Sequence, residues 1–196
     1  MKRIAFTIIL LVIALSAYSQ NVDIDILKAV NVERNKNFDA FFIAISDSVQ
    51  FVAWLLPVGI LLFAFLKRNI IVRNKGIFTA VVIVSQSLIA TLIKLLIDRP
   101  RPFETYSFIE KISVGGSPSF PSGHTSDAFA IALAMSIVFP KKWVIFPMFA
   151  WAIAVGYSRM FTGVHYPTDV LGGMLLGLII SAVWYKVFLK KHYLIC

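Results

Sequence analysis

Cysteine is nearly absent: the single residue, Cys196, ends the chain. No intramolecular disulfide is available, so cysteine usage carries no information on the redox compartment. Cys196 does not fit a prenylation box either, since that signal places its cysteine four residues from the end. Acidic residues are scarce, 10 Asp and Glu against 19 Lys and Arg. They form no oxygen-rich cluster of the kind that holds magnesium. The two histidines that lie among other polar residues, His124 and His165, make a poor zinc set by themselves. No metal or cofactor is therefore expected. Charge of either sign is sparse at 15% of residues, whereas 59% are hydrophobic and the mean hydropathy is +0.82. Soluble domains carry roughly 45–50% apolar residues. A single domain of 196 residues cannot bury so much apolar surface in a soluble core, which points to a membrane protein with the bilayer as its partner. The net charge of +9 invites a nucleic-acid reading. The basic residues, however, sit in short loops between apolar runs, as membrane topology requires, and no nucleic-acid partner is expected.

The apolar runs set the organisation. Residues 1–19 open with Met1-Lys2-Arg3, continue through Ile4–Leu15 and end in small residues, which fits a cleaved signal peptide or a first membrane helix. Residues 20–50 mix Ile24, Leu27 and Val30 with Asp23, Asp25, Lys28 and Arg34, as expected of an amphipathic segment at the interface or of a solvated connector. Residues 51–190 form the bundle, with spans predicted over Phe51–Leu66, Ile77–Ile97, His124–Phe139, Trp143–Tyr157 and Val170–Leu189; residues 191–196 are a tail. Pro57 is a candidate kink. The fold class is thus all-α, a polytopic membrane bundle of five or six transmembrane helices. Lys67, Arg68, Arg73, Lys75, Lys141, Lys142, Lys190 and Lys191 all fall at one end of alternating spans, which the positive-inside rule makes cytoplasmic. The tail is then cytoplasmic as well.

Three polar clusters fall together at the other end. Ionisable groups in a membrane chain are functional candidates by default. Lys94 fits a lysine snorkelling to the interface. It also fits an anion ligand, because Asp98-Arg99-Pro100-Arg101-Pro102 follows and its prolines stiffen the loop that carries Arg101. Arginine matches phosphate oxygens with a fork of donors and lysine with a point charge. Arg99 is a weaker candidate that can instead pair with Asp98. Pro121-Ser122-Gly123-His124 precedes an apolar helix. Ser122 suits an N-cap, Gly123 lets a ligand approach the backbone, and a helix N-terminus attracts anions; a plain capped helix start reads equally well. In the third cluster Asp169 follows His165 by four residues, with Pro167 suited to a first helical turn. A carboxylate so placed fixes the imidazole tautomer and raises the nucleophilicity of its other nitrogen. Arg159 adds a third cation. Tyr166 and Asp127 read as local structure, and Gly172, Gly173 and Gly177 as a close helix contact.

Lys94-x6-Arg101-Pro102, Pro121-Ser122-Gly123-His124 and Ser158-Arg159-x5-His165-x3-Asp169 together resemble the three-part signature of the type-2 phosphatidic acid phosphatase and vanadium haloperoxidase superfamily. The resemblance covers residues 51–189. It implies a helical bundle that hydrolyses phosphomonoesters or pyrophosphates without a metal. His165 would form a phosphohistidine, Asp169 would orient it and His124 would protonate the leaving group. Lys94, Arg101, Ser122, Gly123 and Arg159 would hold the phosphoryl oxygens. Such a transition state asks mainly for positioning and charge stabilisation. A neutral and a protonated histidine working together give a bell-shaped pH–rate profile. The expected substrate is a lipid phosphate, with undecaprenyl diphosphate preferred over phosphatidylglycerol phosphate, phosphatidic acid and lipid A phosphates. It would be met at the periplasmic or extracellular face of a bacterial-type inner membrane. A serine protease built on Ser122 is disfavoured, since a peptide carbonyl needs no cations. A non-catalytic lipid-phosphate binder or transporter is the other class to weigh.

Overall fold

The computed structural model describes residues 22–116 and 118–190, with the side chains of 189 and 190 left aside. The expectations for residues 1–19 and 191–196 lie outside the described residues. A short helix α1 (residues 22–27) runs on into a π-helical turn, Lys28–Val32. After the 3-10 turn Lys36–Phe38 come α2 (Asp39–Leu66), α3 (Ile70–Ile97), the single turn α4 (Pro102–Thr105), α5 (Gly123–Val138), α6 (Lys142–Phe161) and α7 (Pro167–Lys190). Among the described residues four helices are long and apolar enough to span a membrane, and α5 is a shorter apolar helix. The chain is a multi-pass membrane helix bundle.

The helix ends follow local chemistry. Asn69 caps α3 by accepting the N–H groups of Ile71 and Val72, each at 3.0 Å. Asp98 closes α3 in the left-handed conformation at φ 45°, a place that Asp tolerates better than most residues, and Pro100 prevents continuation. Pro167 opens α7, where its missing N–H is no loss. Pro57 lies inside α2 without ending it. The expected boundary between residues 50 and 51 falls inside that continuous helix, which starts at Asp39. The polar Asp47 and Gln50 interrupt the hydropathy of the run but not its helical backbone.

Helix α5 is the axis of the bundle. Ala128, Ala130, Ile131, Ala132 and Ala134 are wholly buried, with α3, α6 and α7 packed around them. At about 1.5 Å per residue its 16 residues span about 24 Å, less than the ~30 Å hydrocarbon layer. The small face of α7 allows close approach: a Cβ on Gly173 would stand 2.5 Å from the Ser122 carbonyl oxygen, and one on Gly177 would overlap that of Ser126. Ser181 Oγ donates to the Ala130 carbonyl at 3.0 Å across the same contact. Outside, Trp54, Phe65, Leu96 and Trp143 are each more than 70% exposed, a surface suited to lipid rather than water.

The two ends of the bundle differ. At one end Lys75 lies over the Phe139 ring and Phe78 meets Phe188, which gathers the basic loops and the end of α7. At the other, the loops between α3 and α5 and between α6 and α7 carry the three polar clusters. Residues 22–38 fold over this second end. Leu27 packs with Ile109 and Tyr166, and Asn31 donates to the carbonyls of Phe161 (2.8 Å) and Glu110 (3.0 Å).

Candidate active site

The first turn of α7 sets the centre of the site. Asp169 is wholly buried, and its Oδ2 accepts the Tyr166 backbone N–H at 2.9 Å, a reciprocal cap on the helix start. The Ser119 hydroxyl donates to the same oxygen. Oδ1 accepts Arg99 Nη1 at 2.7 Å. His165, one turn back, is 2% exposed and points its Nδ1 at Asp169 Oδ2 from 3.5 Å. That separation is too long for a formed hydrogen bond, and Nδ1 has no other partner. Its Nε2 lies 3.5 Å from Arg101 Nη1. Burial, reinforced by the nearby Arg159 and Arg101 charges, pushes the His165 imidazole down to about 3, with Asp169 acting in the opposite direction. His165 is therefore neutral near pH 7, the state in which an imidazole attacks.

The cations arrive from three helix ends. Lys94, in the last turn of α3, donates its ammonium to the Pro118 carbonyl. Arg101 is held by the α4 turn, where Glu104 Oε2 accepts the Arg101 backbone N–H at 3.0 Å, and its Nη1 donates to the Val164 carbonyl at 2.9 Å. Arg159 is 2% exposed and donates to Ser46 Oγ and, at 3.1 Å, to the Val114 carbonyl. It was expected in the loop after Tyr157 but occupies the last turn of α6, which runs on to Phe161. Gly115 packs closely here, since an added Cβ would stand 2.8 Å from Arg101 Nη1 and displace the guanidinium.

Ser122 occupies the N-cap position of α5, but its hydroxyl does not cap the helix. It pairs with Thr125 Oγ1 at 2.8 Å, a local partner that competes with the backbone. The Ser122 N–H donates to the Asp169 carbonyl at 3.0 Å, which joins the second cluster to the third. At Gly123 an added Cβ would meet only Lys94 Cε, at 4.0 Å. Protein packing does not demand glycine there, so a demand for it would come from a ligand. His124, half-buried, stands in the first turn of α5 at the mouth of a cavity of about 490 Å³ between α2, α3 and α5. Val49, Ala53, Trp54, Val84 and Leu88 give the cavity apolar walls, and Asp127, which accepts the Ser87 hydroxyl at 3.1 Å, also lines it. Among the described residues no three His, Cys, Asp or Glu side chains gather in a metal-binding arrangement.

Arg99 does not pair with Asp98. Its guanidinium instead reaches Asp169 and, at 2.9 Å, Asp23. Sequence reading passed over Ser119, Thr168 and Asp23. Asp23 lies 145 residues from Thr168, whose N–H it accepts, and no local pattern marks such a pair.

The chain as a whole is similar to known membrane phosphatases. The chain is 30% identical over 164 residues to the undecaprenyl-diphosphatase BcrC of Bacillus subtilis, covering 83% of this chain and 82% of that one. It is 29% identical to the lipid A 4'-phosphatase of Porphyromonas gingivalis, covering 88% and 75% respectively. The crystal structure of a transmembrane PAP2-type phosphatidylglycerolphosphate phosphatase from Bacillus subtilis superposes with a TM-score of 0.76 at 29% identity, covering 88% of this chain and 86% of that one. Residues 75–193 match the PAP2 superfamily, and the chain belongs to that family of membrane lipid phosphatases.

Proposed function

We propose that this phosphatase removes phosphate from a lipid phosphate or pyrophosphate without a metal, through a phosphohistidine on His165, at the external face of a bacterial-type inner membrane. One observation carries the reading: a buried His165 lies between a carboxylate and Arg101. Asp169 accepts the Nδ1 proton and so directs the Nε2 lone pair at phosphorus. Lys94, Arg101 and Arg159, with the Ser122 hydroxyl and the Gly123 backbone N–H, stabilise the charge spread over the equatorial oxygens. His124 gives its proton to the leaving oxygen. Water then cleaves the phosphorus–nitrogen bond, with His124 as base.

The cavity beside His124 supplies the lipid side of the argument. Its apolar walls suit a hydrocarbon chain, while the headgroup meets the polar end of the bundle. The basic loops at the opposite end support an external site. The undecaprenyl-diphosphatase relative and the chain's small size favour undecaprenyl diphosphate. The other relatives keep lipid A and phosphatidylglycerol phosphates as the second reading, and the family resemblance adds phosphatidic acid. Phosphate release by purified protein from a panel of these lipids, with EDTA present throughout, tests both. Fastest release from undecaprenyl diphosphate supports the first reading, and selective release from another lipid replaces it. Release that stops in EDTA and returns with a divalent ion would overturn the metal-free mechanism. No release from any lipid would favour a binder or transporter.

A further inference from the structure

We propose that Asp23, in the segment ahead of the bundle, is a positioning residue for the reaction, acting on Asp169 through Arg99. The inference rests on the reading above, in which Asp169 orients His165. Asp23 is only 2% exposed, and every contact it makes leads to the start of α7. Its Oδ1 accepts the Thr168 N–H at 2.9 Å, and its Oδ2 accepts the Thr168 hydroxyl and Arg99 Nη2, the latter at 2.9 Å. The other guanidinium nitrogen, Nη1, donates to Asp169 Oδ1 at 2.7 Å and to Thr168 Oγ1 at 2.8 Å. The Arg99 guanidinium also lies over the Tyr166 ring, 4.0 Å from its centroid, which restrains its plane. Arg99 is thus a bridge between two carboxylates rather than the partner of one.

The division matters because Asp169 is oversubscribed. It accepts from Arg99, Ser119 and Tyr166 N–H, and its contact with His165 Nδ1 at 3.5 Å is the longest of the four. A guanidinium paired with one carboxylate tends to bind it with both prongs. That arrangement would draw Asp169 away from His165 and lower its basicity toward the Nδ1 proton. Asp23 holds one prong of Arg99 and offsets its charge, leaving Asp169 a better acceptor for the imidazole. A residue far from the chemistry in sequence thereby acts on the nucleophile without touching substrate.

The test uses full-length protein in detergent, assayed with farnesyl diphosphate and with dioctanoyl phosphatidic acid. Orienting partners one step removed from a working histidine count for roughly 10–100-fold in metal sites. Asp23→Asn is expected to lower kcat by roughly tenfold on that scale, with KM and orthovanadate inhibition unchanged. The double variant Asp23→Asn/Arg99→Gln should be no slower than Arg99→Gln alone, because both act through one contact. Arg99→Lys keeps the charge but cannot bridge both carboxylates, and should also lose kcat; it stands in if Asp23→Asn does not fold. Asn31→Ala loosens the same segment at Glu110 and Phe161 without touching Arg99, and should keep kcat. Undiminished kcat in Asp23→Asn, or in Arg99→Lys where that variant stands in, overturns the proposal. So does an Asn31→Ala loss equal to that of Asp23→Asn, or additive losses in the double variant. Asp169→Asn separates the two levels. Full activity there would sink the active-site reading itself, whereas an inactive Asp169→Asn beside a fully active Asp23→Asn would sink only the relay.

Discussion

Two sets of cations face the same end of this bundle, and they are partnered in opposite ways. Arg34 bridges Asp39 (3.0 Å) and Glu110 (2.8 Å), and Arg99 bridges Asp23 and Asp169. Lys94 and Arg159 donate to carbonyl and hydroxyl oxygens instead, and among the described residues no carboxylate lies within ion-pair distance of either. A compensated cation joins segments of the chain. A half-buried or buried cation left on neutral acceptors keeps its charge at considerable desolvation cost, which is tolerable where an anion is to be met. The partner of each cation therefore separates those that hold the chain's own carboxylates, Arg34 and Arg99, from those left to meet an anion, Lys94 and Arg159.

Exchanging one cation from each set is the strongest way to break that contrast. Arg159→Met should lower kcat/KM by roughly 10²–10³-fold, the usual loss when one donor to a developing oxyanion is removed. Equal kcat/KM would place Arg159 with the scaffold. The pH dependence of kcat/KM sharpens the same division at the nucleophile. His165 must be neutral to attack, so activity falls as pH drops toward its pKa, which is lowered from 6.5 to about 3. The acid limb should therefore lie well below that of an ordinary imidazole, and a limb at 6.5 or above would contradict the environment described for His165. The same shift affects folding. The unfolded chain binds this proton more readily than the folded one, so stability is lost as pH falls through 6.5 toward 3. Arg34→Met, on the scaffold side, should lower the thermal midpoint by roughly 2–4 °C for each kcal/mol lost and leave kcat unchanged at low temperature. A drop in kcat at unchanged stability would move Arg34 into the site. Glu110→Gln should have the smallest effect, with no measurable change in kcat, because that carboxyl is half exposed.

The all-α membrane bundle and the family were legible because both rest on local patterns. Apolar runs, basic loops and the spacing of Lys94, Arg101, His124, Arg159, His165 and Asp169 are all features of short stretches. The i,i+4 spacing of His165 and Asp169 brings the two side chains to 3.5 Å, because a proline-opened helix keeps both near its first turn. Readings that depended on a partner's choice were harder. Ser122 looked like a cap and binds Thr125 instead. Arg99 looked like a partner of Asp98 and instead bridges Asp23 and Asp169, both far from it in sequence. The span over Phe51–Leu66 is only the most apolar part of α2, which starts at Asp39, because polar Asp47 and Gln50 dip the hydropathy of a helix whose backbone bonds do not notice them. Asp23 was out of reach altogether, because its partners are set by how residues 22–38 fold over the site.

Covalent chemistry at His165 is the central claim. Rapid-quench single turnover with phosphate-labelled lipid, on wild type and His165→Ala, tests it directly. The account predicts an acid-labile, alkali-stable phosphoenzyme that forms and decays at rates compatible with turnover, and that is lost together with activity in His165→Ala. Active wild-type protein that yields no phosphoenzyme, alongside a His165→Ala variant of undiminished activity, would contradict it.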